Sequence, residues 1–516
     1  MAAITRRYRT HRTGADPANG AGGNGTHGSA SGDGAGTYHT AHNAAGNGAC
    51  GAAHRSCGRL RRLVCGIAAA LLLAAVPADA VKAGAWEPLE AIAETAGCEV
   101  REVLRWQLLA PGDSVSDWMG IALGRSGLEV DSSVYLTELE GYVTRKYAQE
   151  GGLHTIKATE WHRISLTVLT LGGDPTAFGK DADGNTVNLI ADGTYGWRQS
   201  QSLGTQGLNG WIFALITMDA MCYAIPDGAA YTRGTIIEAI LSAQETNGGF
   251  GLAAGAADVD ITAMALQALA PYQNGNVTYS LPGGGETTVA QAVDRALHWL
   301  SGQQTENGDF SNWGETNAES TAQVIIALCS LGIVPGDNAR FCKNGISPVD
   351  GLLRYRESSG MFRHTLDGGA DVMATEQAAL ALMALERLEN GQRRLYDLRE
   401  EPTEEVRAQI GKLNENLHQL TDAELSRQAE ELYARYLAVP AEERSYVTGY
   451  GRLAACMERL GSAVTPEDPG MAYGLYQGGG TEDAGMPLWL YAVICVAAAA
   501  AIVAAAIIRR GKKQNV

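Results

Sequence analysis

At 516 residues the chain is long enough for two or three domains and a sizeable core. Its formal net charge of −17 would repel phosphate backbones, which excludes nucleic acid as a partner. Its 64 glycines and 7% aromatic content are unevenly spread, so the chain divides into segments of different kind.

Residues 1–56 are almost wholly Gly, Ala, Asn, His, Ser, Thr and Arg. Too few apolar side chains are present to offset the entropy of ordering, so disorder is expected. A later translation start is an equal alternative. Residues 57–80 read as an export signal. Arg55, Arg59, Arg61 and Arg62 form a basic region, residues 63–76 an apolar core of 14, and Ala78-Asp79-Ala80 a small-x-small cleavage site. An uncleaved anchor is the alternative, although the apolar run is short for a span.

From about 84 to 392 the chain repeats. One copy reads "QETNGGFGLAAGAADVDITAMALQAL" from Gln244, the next "QTENGDFSNWGETNAESTAQVIIALCSLG" from Gln304, and a degraded third "YRESSGMFRHTLDGGADVMATEQAALALMAL" from Tyr355. Each holds a Gly-aromatic turn, a short polar loop and a helix. Earlier helices share the second half. The polar helix starts Asp117, Glu160, Asn209, Asp260, Glu319 and Glu376 lie 43 to 59 residues apart, room for two helices and two loops. Segments such as "YLTELEGYVTRKYAQEGG" and "TVAQAVDRALHWLSGQQ" supply partners with a charged face. Six such pairs predict a closed double ring, an all-α (α/α)6 toroid over 84–392, with apolar inner helices walled in on both sides. A polar residue recurring at each inner start predicts capping, with Asp260 as the cap of its helix. Parallel inner helices would gather these residues at one rim. Trp118, Trp161, Trp197, Trp211, Phe250, Trp313 and Phe362 belong near it. Phe250, Phe310 and Phe362 read as turn packing, while Trp197 and Trp211 flank a Gly-rich loop suited to a lid.

Residues 395–463 carry three charged amphipathic helices, "TEEVRAQIGKLNENLHQL", "TDAELSRQAEELYARYLAV" and "PAEERSYVTGYGRLAACMERLG", and predict a three-helix bundle. The second opens with the capping box Thr421-x-x-Glu424 and the third carries Pro440 near its first turn. Residues 464–485 read as a linker. Residues 487–508 form 22 positions without a charge, a transmembrane helix. Arg509, Arg510, Lys512 and Lys513 then place the tail 509–516 in the cytoplasm. The membrane is thus an expected partner, with the body outside the cell. Five cysteines follow the cleavage site: Cys98, Cys222, Cys329, Cys342 and Cys456. They are too scattered for a disulfide framework and leave at most one bridge in view, such as Cys329 with Cys342.

"QETNGGF" and "QTENGDFSNW" resemble the Gln-Gly-aromatic repeat of the squalene cyclase and protein prenyltransferase superfamily. "DVDITAMAL" resembles both the Asp-x-Asp-Asp-Thr-Ala motif of class II terpene cyclases and a helix start in transcobalamin and intrinsic factor. "GLNGWIFALITMD" and "DVDITAMALQALAPY" are similar to exported bacterial prenyltransferase-like surface proteins. The resemblance covers about 85–392. It implies the toroid; the fold hosts cyclases, transferases and vitamin carriers, so activity must be read from the site.

The cyclase resemblance implies three carboxylates, the middle one a proton donor. By position these are Asp258, then Asp260 as donor, but the third falls on Ile261, and no adjacent Asp-Asp pair occurs in the chain. A prenyltransferase would need a catalytic zinc. His154, His162, His298, His364 and His418 have no cysteine at usable spacing, so no metal site is read. The carrier resemblance implies a bound corrinoid; no other cofactor is read, and no strand pattern follows the ring to clamp one. The leading expectation is a non-catalytic binding face for an apolar or corrinoid molecule, a carbohydrate or a protein. Trp197, Trp211, Asp258, Asp260, Trp313 and Glu319 are its candidate contacts. The alternatives are a terpene-cyclase-like enzyme using Asp260 and a structural or adhesive scaffold. A dry aromatic bore would favour the enzyme, an open polar rim the binder, and a filled axis the scaffold.

Overall fold

The computed structural model describes residues 110–126, 131–197, 201–358, 360–462 and Val464. The expected disordered segment, export signal, membrane helix and tail lie outside the described residues, as does Cys98. Among the described residues no helix is long and apolar enough to cross a membrane.

Six inner helices carry the fold: α1 (Ser114–Arg125), α3 (Thr159–Thr170), α5 (Leu208–Asp219), α7 (Val259–Leu269), α9 (Ala318–Ser330) and α11 (Val372–Glu389). Each packs on the next, and α11 packs on α1, which closes the ring. Outside it lie α2 (Ser133–Glu150), α4 (Leu189–Gly193), α6 (Arg233–Ser242), α8 (Val289–Gln303) and α10 (Pro348–Leu353). The partner expected before α1 falls outside the described residues. Burial separates the two layers. All thirteen residues of α9 are buried. On α2 only Tyr135, Leu139, Val143 and Tyr147 are, one per turn along a single stripe.

The repeat has a hydrogen-bonding cause. Gln244 Nε2 donates to Gly248 O and to Ala292 O on α8, both at 2.8 Å. Gln304 repeats this with Gly308 O and Phe341 O. Each glutamine therefore ties its turn to the outer layer. Phe250, Phe310 and Phe362 are fully buried. Their backbone N–H groups donate to the hydroxyls of Thr262, Thr321 and Thr375 on the following inner helices, at 2.8, 3.1 and 2.9 Å.

The all-α expectation needs one correction. The polar loops before α9 and α11 are small hairpins, β3–β4 (Phe310–Asn312, Glu315–Asn317) and β5–β6 (Phe362–Arg363, Ala370–Asp371). Another, β1–β2 (Thr278–Ser280, Glu286–Thr288), precedes α8. They are too short to show strand alternation in sequence.

After α11 the chain turns back as a strap across the C-terminal end of the ring. Arg125 Nη2 on α1 donates to Arg394 O and Asp397 O, both at 2.9 Å. Leu398 N donates to Ala220 O beyond α5, and Arg394 Nε to Ser330 O on α9. Contacts to three separate inner helices set the strap over the bore.

The bundle follows with its own core: α12 (Glu404–Gln419), α13 (Asp422–Ala438) and α14 (Tyr450–Arg459). The third helix starts ten residues later than the sequence suggested. Pro440 heads a 3₁₀ turn (Ala441–Tyr446), and Gly449 at φ +81° turns the chain into α14. Arg393, 5% exposed along its side chain, docks the bundle through Glu443 at 2.9 and 2.7 Å. Cys222, Cys329, Cys342 and Cys456 are all free thiols, so the bridge between Cys329 and Cys342 does not form.

Candidate functional site at the mouth of the ring

The N-terminal ends of α7, α9 and α11 meet at the mouth opposite the strap. Their caps are Asp258, Asn317 and Asp371, whose Oδ1 atoms accept from Ile261 N, Ser320 N and Ala374 N at 2.8, 2.7 and 2.9 Å. Asp260 is therefore not the cap. It sits two residues further in, and Glu160, Asn209 and Glu319 occupy the same second helical position. The recurring polar residue of the sequence thus lies two residues past the cap and is not the capping residue.

What holds these side chains is the next hairpin. Asn312 Nδ2 donates to Asp260 Oδ2 at 3.0 Å, and His364 Nδ1 lies 2.8 Å from Glu319 Oε2. Asn312 follows Phe310 by two residues, as His364 follows Phe362. Each hairpin thus reaches back to the acid of the previous helix. Asp260 Oδ1 is out of water and has no hydrogen-bond partner among the described residues. Burial raises the Asp260 pKa, against the opposing effect of Ser320, Asn312 and His364. It likewise raises Glu319, with His364 opposing. Burial works to lower the His364 pKa, but Glu319, Glu315 and Asp371 outweigh it, so the ring is more basic than usual. Asp258, within its cap, is pushed up to about 6, first by burial.

One turn deeper lies Glu376. It is 2% exposed, and no hydrogen bond to its carboxyl occurs among the described residues. Burial, reinforced by Glu319, Asp371 and Asp113, holds its pKa well above the usual carboxylate range. The sequence treated Glu376 as a helix start. In the structure α11 opens at Val372, so Glu376 faces inward from the fifth position.

The wall and floor are distinct. Asp260, Met264 and Gln267 on α7, Glu319 and Gln323 on α9, and Met373 and Gln377 on α11 follow each other at helical spacing on one face of each helix. Gln267 donates to Gln323 Oε1 at 2.9 Å and Gln323 to Gln377 Oε1 at 3.1 Å, a polar chain across three helices. Trp118 of α1 and Phe213 of α5 meet at 5.5 Å although α3 separates their helices in the ring. Tyr396 of the strap stands edge-on to Trp118 at 6.2 Å. These aromatics close the bore. The mouth is a cup, not a channel.

The rim carries exposed apolar groups: Leu252, Trp313, Leu366, Val372 and Met373. Trp313 is 75% exposed and holds φ +52° at the β3–β4 turn, a conformation that disfavours a bulky residue. Of the other expected contacts, Trp197 is a core residue. Its Nε1 donates to Gln201 O at 2.7 Å and its ring packs edge-on to Trp161 at 5.3 Å. Trp211 packs on Tyr231 outside the ring wall. Asp258 is committed to its cap. The structure brings together Asp260, Glu319 and the Trp313 hairpin, and adds Glu376, Asn312, His364, Trp118, Phe213 and Tyr396.

Among the described residues no three His, Cys, Asp or Glu side chains are grouped so as to hold a metal ion. His162 is buried against Gly193 O, and burial lowers its pKa to about 4. A separate cleft of about 400 Å³ lies between the C-terminal ends of α9 and α11 and the bundle helix α12. Arg393 and Arg394, which line it, are engaged by Glu443, Asp397, Ser330 and Ser445.

No protein-family model matches the chain, and no curated protein matches it in sequence. Several solved structures are similar to it, two of them as follows. The Candida albicans protein geranylgeranyltransferase-I complexed with GGPP shares 13% identity over 65% of this chain and 94% of that one, with a TM-score of 0.36. The ent-copalyl diphosphate synthase from Streptomyces platensis shares 20% identity over 52% of this chain, with a TM-score of 0.33. This chain spans about half of that synthase, 49% of its length. The toroid itself rests on the closure of α11 onto α1.

Proposed function

We propose that the acidic cup is a ligand-binding site and that the protein works as a binding module. The observation that carries this is Glu376, a carboxyl 2% exposed and without a hydrogen bond among the described residues; at the same mouth Asp260 Oδ1 is out of water and unpaired among the described residues. A buried polar group left unpaired costs about 1–3 kcal/mol. Asp260 Oδ1 carries that cost, and a ligand seated under the rim of exposed apolar side chains would satisfy it and reach Glu376. Display of the body outside a membrane through residues 487–508 belongs to the same proposal and rests on the sequence pattern.

The test is ¹⁹F NMR of the full chain carrying 5-fluorotryptophan, with the Trp118 line assigned by Trp118→Phe. A fragment set of cationic, neutral and anionic compounds is titrated in. A saturable shift at Trp118 supports the cup. Hits that move other tryptophans and leave both Trp118 and the rim residue Trp313 still would contradict it.

A second reading, an acid-donating enzyme of terpene-cyclase type, is favoured by one observation. Asp260 is free of capping duty and its pKa is raised. Against it stand the neutral Asn312 and Ser320 beside Asp260 where the cyclase motif has further acids, and the bore closed by Trp118, Phe213 and Tyr396. Conversion of a polyene substrate that is lost in Asp260→Asn would decide for that reading.

A further inference from the structure

We propose that the cup selects an organic cation: a protonated or quaternary amine carried on a short apolar tail. This rests on the binding reading above and names its ligand class.

The charges around the cup come from four of the six inner helices or their starts and from two hairpins. Asp113 stands at the start of α1, Asp260 on α7, Glu319 and Glu376 on α9 and α11, and Glu315 and Asp371 on the two hairpins. The cations nearby are already engaged. His364 is held by Glu319, Arg363 by Glu357 and Leu366 O, and Arg163 by Asp117 and Glu160. An anionic ligand such as a diphosphate would meet only repulsion, and a neutral one would leave the mouth charge uncompensated. An inorganic cation needs several donors converging at bond distance, and no such group exists among the described residues. Spread carboxyls suit a diffuse organic charge instead.

The floor and the rim complete the match. Trp118 and Tyr396 lie below Glu376, and an ammonium group is attracted to aromatic faces. Met264 lines the wall, and Leu252, Trp313, Leu366 and Met373 give apolar surface above the acids. A tail that emerges through the mouth would lie along them.

Binding of a cation favours the carboxylate form of Glu376. Burial holds the Glu376 pKa up in the empty cup and a bound cation lowers it, so over the pH range between the two values binding releases a proton and affinity rises with pH. Asp260 and Glu319 share this sense, since burial raises both.

The experiment is isothermal titration calorimetry of the full chain with hexyltrimethylammonium, 1-hexanol and hexanoate, each in two buffers of different ionisation enthalpy. The expected result is binding of the ammonium about tenfold or more tighter than the alcohol, no binding of the acid, and net proton release with the ammonium alone. Glu376→Gln, nearly isosteric, should weaken the ammonium about tenfold, abolish most of the proton release and leave 1-hexanol unchanged. Asp260→Asn is the second variant, with a smaller loss expected, and near-UV circular dichroism confirms that both fold. Equal affinity for alcohol and ammonium would overturn the cation assignment and leave the binding cup standing. Failure of all three probes to move the Trp118 or the Trp313 ¹⁹F line would instead remove the binding reading itself. Unchanged proton release in Glu376→Gln would overturn the role given to that carboxyl.

Discussion

Replacing Glu376 by Gln should make the protein more stable at neutral and alkaline pH. The folded-state pKa of Glu376 is raised from an ordinary 4.5, because burial and the charges of Glu319, Asp371 and Asp113 oppose its ionisation. An unfolded chain ionises this carboxyl above pH 4.5, whereas the folded chain must keep the proton. Folding then takes up a proton, and stability falls as pH rises through the window between the unfolded and the folded pKa. The slope for one group is about 1.4 kcal/mol per pH unit. Glutamine has no such slope. Both proteins should therefore be similar below pH 4.5, and the variant should gain about 1.4 kcal/mol over wild type for each unit above 4.5, until the folded carboxyl ionises. Urea unfolding followed by tryptophan fluorescence at several pH values reads this out. The bundle helices contain no tryptophan and eight of the nine lie within 84–392, with Trp489 the exception, so a Trp489→Phe background makes the signal report the ring. A variant that is less stable at pH 8, or a difference that does not change with pH, would refute the reasoning, because the carboxylate would then have a favourable partner in the fold.

Three other outcomes follow from the geometry. Asp258→Ala removes the α7 cap and should cost about 1 kcal/mol, while Asp260→Asn, whose side chain caps nothing, should cost less; urea denaturation of the two variants compares them. Glu443→Gln removes the charge partner of buried Arg393 and should destabilise the docking of bundle to ring by about 3 kcal/mol, at the low end for a buried pair because Asp397 remains at 3.2 Å; faster amide exchange in 441–447 is the readout. The contact of His364 with Glu319 should matter in acid only. His364 has a raised pKa, so its contribution is full below pH 6.5 and disappears as pH rises through the folded value. With its side chain half exposed, solvent screening limits the effect to a few tenths of a kcal/mol in a His364→Gln comparison of melting at pH 5.5 and 8.

The ring was legible because its cause is local and repeated. The Gln, the buried Phe and the Thr four residues after each cap recur in "QETNGGF…DVDIT" and "QTENGDF…NAEST", and each makes one repeated bond. The cap was misplaced by two residues because Asp258 and Asp260 are both good capping types. The threonine could have settled it: Thr262, Thr321 and Thr375 each stand four residues after the true cap. The hairpins were hidden by their length. The late start of α14 has a local sign in Gly449 and the β-branched Val447 and Thr448. The floor of the cup had none. Tyr396 closes the bore only because the strap returns across the ring, a long-range contact that no periodicity announces. Glu376 was visible as an acid in an apolar helix but was aligned by its charge rather than by the register of α11.

The most direct test of the cup is the ionisation state of Glu376 itself. Glutamate labelled with ¹³C at the carboxyl carbon, with the resonance assigned through Glu376→Gln, reports it in the full chain. The prediction is a carboxyl that titrates well above the usual carboxylate range in the free protein and at lower pH once hexyltrimethylammonium saturates the cup. A titration within the usual carboxylate range in the free protein, or a resonance indifferent to the ligand at saturation, would contradict the account.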